Sequence, residues 1–327
     1  MSVIAPVYNE SDAIEEFIDR VLRVADSLAE RQLMELILVD DGSRDGSLQR
    51  MKARAERDPR VRVLELSRNY GQTAAIQAGL DAARGEVFVT MDADLQHFPE
   101  EIPQFLRKLD EGYDMVCGWR HQRREGLIRR FPSRVANALI RAVSGLTIHD
   151  IGTTFRAYRS DVARRLRLFG DSHRYIPVLG ALSGARITEL PIENVDRPHG
   201  KSNYGLGRTV GVFLDIILLW FLVRYFDRPM RAFGKLGLVV FLAGAGIVAA
   251  LIALSFVYGT ATVRERSGWF LMAIMFMLAG IQLVLTGILA ELLIRVHYSH
   301  PMHRTYLVRR EWSKTPPADP VAGLEPA

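Results

Sequence analysis

Two carboxylates that directly follow an apolar run are the residues in this chain best placed, by type and spacing, to do chemistry. Residues 87–91 are apolar or β-branched, and Asp92 and Asp94 come next with one residue between them. A continuous apolar run is typical of a strand buried in a parallel sheet, and such sheets bind ligands beyond the carboxyl ends of their strands. Mg²⁺ commonly takes one or two carboxylates together with substrate phosphates. The pair predicts a site for Mg²⁺ or Mn²⁺ and a diphosphate, although a solvated turn with two acids is the alternative for the pair alone.

Polar residues also follow two earlier strand-like runs, at 6–10 and 39–43. Consecutive parallel strands usually lie side by side, so these ends should meet. A carboxylate there can accept hydrogen bonds from a base N–H or from ribose hydroxyls, and Pro6 or Tyr8 can pack against a base. An ordinary turn with a helix cap would explain residues 40–43 alone. Because polar clusters follow several successive strands, ordinary turns are a poor explanation for all of them together.

The elements that must position these residues alternate along the first two hundred positions. After a first strand at 3–7, strand-like runs at 36–39, 61–66 and 87–91 are separated by helical patterns at about 46–57 and 73–83. This βαβ alternation predicts an α/β domain with a parallel sheet and right-handed crossovers.

Two segments, 236–258 and 269–290, contain no charged residue. Each is longer than the roughly 20 residues that span a bilayer, and residues 259–268 between them are too few for a domain. A transmembrane hairpin is therefore predicted. A buried hairpin of a globular protein is the alternative, which the two uncharged lengths disfavour.

The charge distribution agrees with a hairpin whose two ends are cytoplasmic. The net charge is +5, and basic residues flank the hairpin on both sides: Arg224, Arg228, Arg231 and Lys235 before it, and Arg295, Arg304, Arg309, Arg310 and Lys314 after it. The positive-inside rule places both flanks in the cytoplasm. Because the basic residues cluster beside the spans, no nucleic-acid partner is expected. No targeting segment precedes the first strand, which favours a cytosolic catalytic domain, and the single cysteine, Cys117, is expected in the core.

Residues 209–226 are apolar but contain Asp215. An amphipathic helix in the membrane interface is preferred over a third span, because a third span would place the basic C-terminal segment outside the cytoplasm. Residues 129–145 are a second candidate for such a helix.

Four motifs together resemble family 2 glycosyltransferases of GT-A fold. They are Pro-Val-Tyr-Asn-Glu at 6–10, Val-Asp-Asp-Gly-Ser-Arg-Asp-Gly-Ser at 39–47, Ser-Arg-Asn-Tyr-Gly-Gln at 67–72 and Met-Asp-Ala-Asp-Leu-Gln-His-Phe-Pro at 91–99. Within that family, the chain is similar from residue 2 to about 310 to polyprenyl-phosphate glycosyltransferases, such as dolichyl-phosphate mannose synthases and bacterial undecaprenyl-phosphate glucosyltransferases. The resemblance implies a GT-A, Rossmann-like, doubly wound mixed sheet followed by amphipathic interface helices and a two-helix transmembrane hairpin.

The resemblance also implies roles for individual residues. The nucleotide sugar is expected near Pro6, Tyr8, Glu10, Asp41, Asp92 and Gln96, and the metal near Asp92, Asp94 and Gln96. Further matches at 118–120, 150–158, 173–177 and 197–202 extend the resemblance downstream. An acceptor phosphate is expected near Arg120, Arg129 and Ser133, and guanidinium groups bind phosphate bidentately. The expected catalytic residues are Asp94, Asp92, Arg120, Arg129 and Asp150, the last for sugar-hydroxyl contacts or proton transfer. Many relatives carry Cys-Gly where this chain has Thr153 and Thr154, so the sugar pocket is not defined.

The implied reaction is inverting, metal-dependent sugar transfer from GDP-mannose or a UDP-hexose to undecaprenyl or dolichyl phosphate, with Mg²⁺ or Mn²⁺ as cofactor. The implied domains are a cytosolic catalytic domain at 1–205, a juxtamembrane helix at 206–232, the hairpin at 233–294 and a basic cytoplasmic tail at 295–327, disordered at its end. A bacterial inner-membrane location is expected, and a homo-oligomer is left open.

Two other functions compete with this reading. A processive polysaccharide synthase would resemble this chain in its donor half, but the Gln-x-x-Arg-Trp motif of those enzymes is missing. A non-catalytic subunit of a glycan-modification or flippase system would need a substrate path, and the two spans contain no ionisable residue.

Overall fold

The computed structural model describes residues 1–28, 33–121, 148–168, 170–193, 229–258, 266–299 and 306–314. The chain divides into two compact units, one of Met1–Ile216 with Arg304–Ala327 and one of Ile217–His303. Several predictions lie outside the described residues: Arg129, Ser133, both candidate interface helices and the disordered tail end.

The first unit is built on a mixed sheet, as predicted. Its described strands have the order β7-β5-β6-β4-β1-β2-β3-β8. The bounds are β1 Ser2–Val7, β2 Glu35–Asp40, β3 Val61–Leu66, β4 Val87–Thr90, β5 Met115–Trp119, β6 Arg156–Arg159, β7 Ile187–Pro191 and β8 Val308–Trp312. Strands β4, β1, β2 and β3 run parallel, whereas β6 is antiparallel to both of its neighbours and β8 is antiparallel to β3.

Helices cover both faces of this sheet. They are α1 Ile14–Ser27, α2 Ser47–Arg57, α3 Gln72–Ala82, α4 Ile102–Asp110, α5 Ser160–Arg165 and α6 Ile176–Leu182. One core cluster contains buried residues of α1, α2 and α4, and a second contains those of α3, α5 and α6. Every residue of β2 and β4 is buried, because a strand covered on both faces has no solvated side.

Helix α3 approaches the sheet unusually closely at Gly79. A Cβ atom at this position would lie 2.2 Å from Cγ2 of Ile4 in β1. The glycine therefore allows α3 to pack directly on the central strand. This contact sets the position of the first residue of α3, Gln72, relative to the strand ends.

Strand β8 lies within the segment predicted as a basic tail, and the sequence does not predict it. Arg62 of β3 is 5% exposed and forms ion pairs with Glu35 of β2 and with Glu311 of β8. The Tyr306 hydroxyl donates a hydrogen bond to Asp81 at 2.7 Å. These contacts fix the segment that follows the hairpin to the edge of the sheet.

The second unit contains two long helices, α7 Met230–Tyr258 and α8 Ser267–Ser299. A Cβ at Gly237 would lie 2.6 Å from the carbonyl oxygen of Gly280, and one at Gly244 would lie 2.6 Å from that of Ala273. The helices therefore pack antiparallel with their backbones in close contact, as predicted for a hairpin.

Both helices are long and apolar enough to cross a membrane. The most apolar 18-residue windows of Met230–Val257 and Ser267–Leu293 have mean hydropathies of 2.6 and 2.2, and only 17% of each window is buried. Exposed leucines and phenylalanines cover their outer faces. Low burial does not fit the core helix of a soluble protein, so this unit indicates a membrane-associated protein.

Candidate active site

The carboxyl ends of β1, β2 and β4 lie side by side and bring the predicted clusters together. The backbone N–H of Asp41 donates to the Val7 carbonyl at 2.9 Å, and that of Met91 donates to the Ile4 carbonyl at 3.1 Å. The segments after β1 and β2 are also joined, because the Glu10 N–H donates to the Ser47 hydroxyl at 2.9 Å.

Two residues at these strand ends adopt a left-handed backbone. In the described ranges, the non-glycine residues with positive φ are Asn9, at 57°, and Leu95, at 59°. One lies in the segment predicted to contact the nucleotide, and the other lies directly after Asp94. Such conformations cost about 1–3 kcal/mol each and cluster at functional sites. Their placement supports a binding crevice at this edge of the sheet.

Asp41 anchors the loop that leads into α3. It is 3% exposed, and its two carboxylate oxygens accept hydrogen bonds from the backbone N–H groups of Tyr70, at 2.7 Å, and Gly71, at 2.9 Å. Burial raises the pKa of Asp41, although these two bonds oppose the rise. A nucleotide contact stays a prediction for Asp41, and the loop anchor is a role that the sequence does not reveal. Tyr8 is 47% exposed at the rim of the same crevice.

Asp92 and Asp94 lie in different environments. Asp94 is 5% exposed, and one of its oxygens accepts a hydrogen bond from the backbone N–H of Gln96 at 3.1 Å. Asp92 is partly buried, and both of its oxygens accept side-chain hydrogen bonds, from Gln72 and from Thr154. The two carboxylates are therefore close in sequence, but each is held by hydrogen bonds from different donors.

The donor atoms here fit a divalent cation that is shared with a substrate. Carboxylate and amide oxygens of Asp92, Asp94 and Gln96 are the hard ligands that Mg²⁺ and Mn²⁺ accept. Within the described ranges, no group of three or more His, Cys, Asp or Glu residues is placed to hold a metal ion. In proteins, Mg²⁺ with few carboxylate ligands takes its remaining ligands from water and substrate phosphates.

Arg120 and Asp150 form a bidentate ion pair. The Arg120 Nε and Nη2 donate to the two Asp150 oxygens at 2.7 and 3.0 Å, and the Arg120 backbone N–H donates at 3.3 Å. Asp150 is 4% exposed. With both oxygens accepting from one guanidinium, this carboxylate is arranged to orient Arg120. The pair uses two of the five N–H donors of a guanidinium.

His97 is a buried polar residue beside the site, and Glu101, four positions further along the chain, is partly buried; neither has a role predicted from the sequence. His97 is 3% exposed, and burial with the nearby Arg120 lowers its pKa to about 4, against the effect of Asp94 and Asp150. Burial likewise raises the pKa of Glu101 to about 7. Among the described residues, no partner is found for the His97 Nδ1 atom or for one Glu101 oxygen. The one sequence feature that could have pointed to His97 is its position directly after Gln96, in the motif at 91–99.

Comparison with known proteins identifies relatives along nearly the whole chain. A dodecaprenyl-phosphate galacturonate synthase from Rhizobium johnstonii is 37% identical over 318 residues, which are 95% of this chain and 92% of the relative. An undecaprenyl-phosphate 4-deoxy-4-formamido-L-arabinose transferase from Edwardsiella ictaluri is 36% identical over 91% of this chain and 89% of the relative.

The fold and the family agree with these relatives. Glucosyl-3-phosphoglycerate synthase from Mycobacterium tuberculosis, solved with Mn²⁺ and UDP-glucose, matches with a TM-score of 0.52 and 21% identity over 68% of this chain and 78% of that protein, which shows the GT-A fold. The family model for glycosyl transferase family 2 matches residues 2–167. A match over half of the chain, with relatives more than a third identical over nine tenths of it, establishes that the chain belongs to glycosyltransferase family 2.

Proposed function

We propose that this protein transfers a sugar from a nucleotide-diphosphate sugar to the phosphate of a membrane polyprenol, with inversion at the anomeric carbon. One observation carries the proposal: a carboxylate site suited to a metal and a diphosphate occurs in the same chain as two helices able to cross a membrane. The relatives support it, because their names combine a sugar with dodecaprenyl or undecaprenyl phosphate.

On the donor side, Pro6 and Tyr8 pack against the base, while Glu10 and Asp41 contact the nucleoside. The exposed ring of Tyr8 and the joined ends of β1 and β2 support this assignment. Asp92, Asp94 and Gln96 would hold Mg²⁺ or Mn²⁺, which would supply positive charge beside the departing nucleoside diphosphate. These residues would thus bind the nucleoside diphosphate and stabilise its charge as it leaves.

On the acceptor side, Arg120 binds the phosphate together with Arg129 and Ser133. A phosphate monoester has a second pKa near 6, so it is largely dianionic at pH 7 and needs little help from a general base. The work of the protein is therefore positioning and charge stabilisation. Asp150 orients Arg120 through the bidentate pair, and the dianionic acceptor does not require a proton acceptor there.

The proposed location is the bacterial inner membrane, crossed twice, with the catalytic unit in the cytosol. The acceptor phosphate lies at the depth of the headgroups while its tail stays in lipid, so an interface helix at 209–226 would bring the site to that depth. The basic flanks of the hairpin support the cytoplasmic side for both ends.

The test is an assay of purified protein against a panel of nucleotide sugars, with undecaprenyl phosphate present or omitted. The proposal predicts release of nucleoside diphosphate from one donor only when the lipid phosphate is present, loss of this release in EDTA, and its recovery with Mg²⁺ or Mn²⁺. Lipid-independent release, or no release from any donor by folded protein, would refute the proposal.

A further inference from the structure

Both oxygens of Asp92 are held by side chains from other parts of the chain. Gln72 donates from Nε2 to Oδ1 at 2.7 Å, and Thr154 donates from Oγ1 to Oδ2 at 2.7 Å. A carboxylate with a donor on each oxygen has a fixed plane, and each carboxylate oxygen has two lone pairs. Asp92 is therefore oriented before any substrate binds.

Gln72 is itself fixed by the nucleotide side of the crevice. It is the first residue of α3 and directly follows Tyr70 and Gly71, whose backbone N–H groups donate to Asp41. Gly71 has a φ of 92°, which only glycine adopts readily. Three consecutive residues, 70–72, thus link Asp41 to Asp92 by hydrogen bonds.

Thr154 is fixed by the strand that leads to Asp92. Its carbonyl oxygen accepts a hydrogen bond from the Thr90 hydroxyl at 2.8 Å, and that hydroxyl lies 2.8 Å from the Tyr158 hydroxyl. Thr154 is 7% exposed, and Thr90 and Tyr158 are 1% and 0% exposed. The hydroxyl of Thr154 therefore reaches Asp92 from a rigid, buried position.

We infer that Gln72 and Thr154 are positioning residues that hold Asp92 in the orientation needed for the metal and donor diphosphate. The inference rests on the proposed function. Partners of this kind orient the residues that bind a metal, and their removal typically costs about 10- to 100-fold in metal affinity.

The test measures Mn²⁺ binding by the electron paramagnetic resonance signal of the free ion, with UDP and GDP tested in parallel and no sugar donor present. Thr154→Val keeps the shape and removes the donor, and Gln72→Met does the same at the second position. Each should raise the apparent Kd for Mn²⁺ about tenfold or more. Thr154→Ser, which keeps the hydroxyl, should bind Mn²⁺ nearly as the wild type does.

Thr153→Val is the matched control, because the Thr153 hydroxyl accepts a hydrogen bond from the Phe155 backbone N–H at 3.3 Å, within its own loop. It should leave the Kd for Mn²⁺ unchanged. Wild-type affinity in folded Thr154→Val, or equal weakening in Thr154→Ser and Thr154→Val, would overturn the inference. Failure of the wild type to bind Mn²⁺ with either nucleotide would instead overturn the metal site of the proposed function, and the inference with it.

Discussion

At the level of single residues, Asp94 is more deeply buried than Asp92, and one of its oxygens accepts a hydrogen bond from the Gln96 backbone N–H. Asp94→Asn keeps the shape and removes the charge, so sugar transfer should fall at least a hundredfold while the protein stays folded. Steady-state assays with the donor found by the panel measure this. Asp110→Asn, at the exposed end of α4, is the control and should keep full activity. Substantial activity in Asp94→Asn would contradict the metal assignment.

The Arg120–Asp150 pair makes a separate prediction about the acceptor. Asp150→Asn should raise the KM for polyprenyl phosphate because Arg120 loses its orienting partner, and loss of such a charge-assisted bond costs about 1.5–3 kcal/mol, or roughly 10- to 150-fold. The pH profile of kcat should keep its shape. Loss of the acidic limb of that profile would show that Asp150 is a general base.

Burial of Glu101 predicts a pH-dependent contribution to stability. Its pKa is raised from 4.5 to about 7 because burial penalises the carboxylate. The stability that the protonated form contributes is complete below pH 4.5 and is lost as the pH rises through 7. The Tm of Glu101→Gln should therefore rise relative to wild type between pH 4.5 and 8. A difference in Tm that stays constant over this range would contradict the raised pKa. The titration of His97 does not affect this difference, because both proteins contain His97.

The sequence predicts Asp92 and Asp94 because both stand in one local motif. It does not predict the bonds from Gln72 and Thr154, which lie 20 and 62 positions from Asp92 and meet it only after the sheet has formed. The same reason hides the pairing of Arg120 with Asp150, 30 positions apart. Local spacing reveals carboxylates suited to a metal, whereas their supporting side chains depend on tertiary packing.

At the scale of elements, β8 depends on one buried ion-pair cluster. Arg62→Met leaves Glu35, which is 2% exposed, without its cation, and breaking such a buried pair typically costs about 3–5 kcal/mol. The Tm of detergent-purified Arg62→Met should fall strongly. Arg310→Met, at an exposed position of β8 over the Trp312 ring, should change stability by no more than about 1 kcal/mol. Equal effects of the two variants would contradict the structural role of β8.

The predicted α/β alternation is confirmed for β1 to β4, α2 and α3, because these strands are rich in apolar and β-branched residues. Strands β6, β7 and β8 have four or five residues and pair with distant segments, so no local pattern marks them. Strand β6 even contains Arg156, which is 0% exposed and donates to the backbone carbonyls of Ile151 and His173. A charged residue in the core opposes the apolar pattern by which strands are recognised.

At the scale of the whole molecule, β8 constrains the membrane topology. It follows α8 in the chain and pairs with β3, so the segments before and after the hairpin belong to one folded unit. The number of membrane crossings between β7 and β8 should therefore be even. This agrees with the two predicted spans and with the basic residues on both flanks.

Cysteine labelling in intact cells tests this topology. In a variant lacking the buried Cys117, a cysteine in place of Thr262 should react with an impermeant thiol reagent added outside. A cysteine in place of Ser313, directly after β8, should react only after lysis. Labelling at Ser313 in intact cells would mean an odd number of spans and would contradict the pairing of β8 with β3.

Mass spectrometry of the lipid product shows directly whether the acceptor is the phosphate of a polyprenol. Purified protein, the nucleotide sugar selected by the panel, Mg²⁺ and undecaprenyl phosphate should yield a lipid heavier by one sugar residue and still containing a single phosphate. Asp94→Asn should leave the lipid unchanged. A product with a second phosphate, or an unmodified lipid after full consumption of the donor by wild-type protein, would contradict the account.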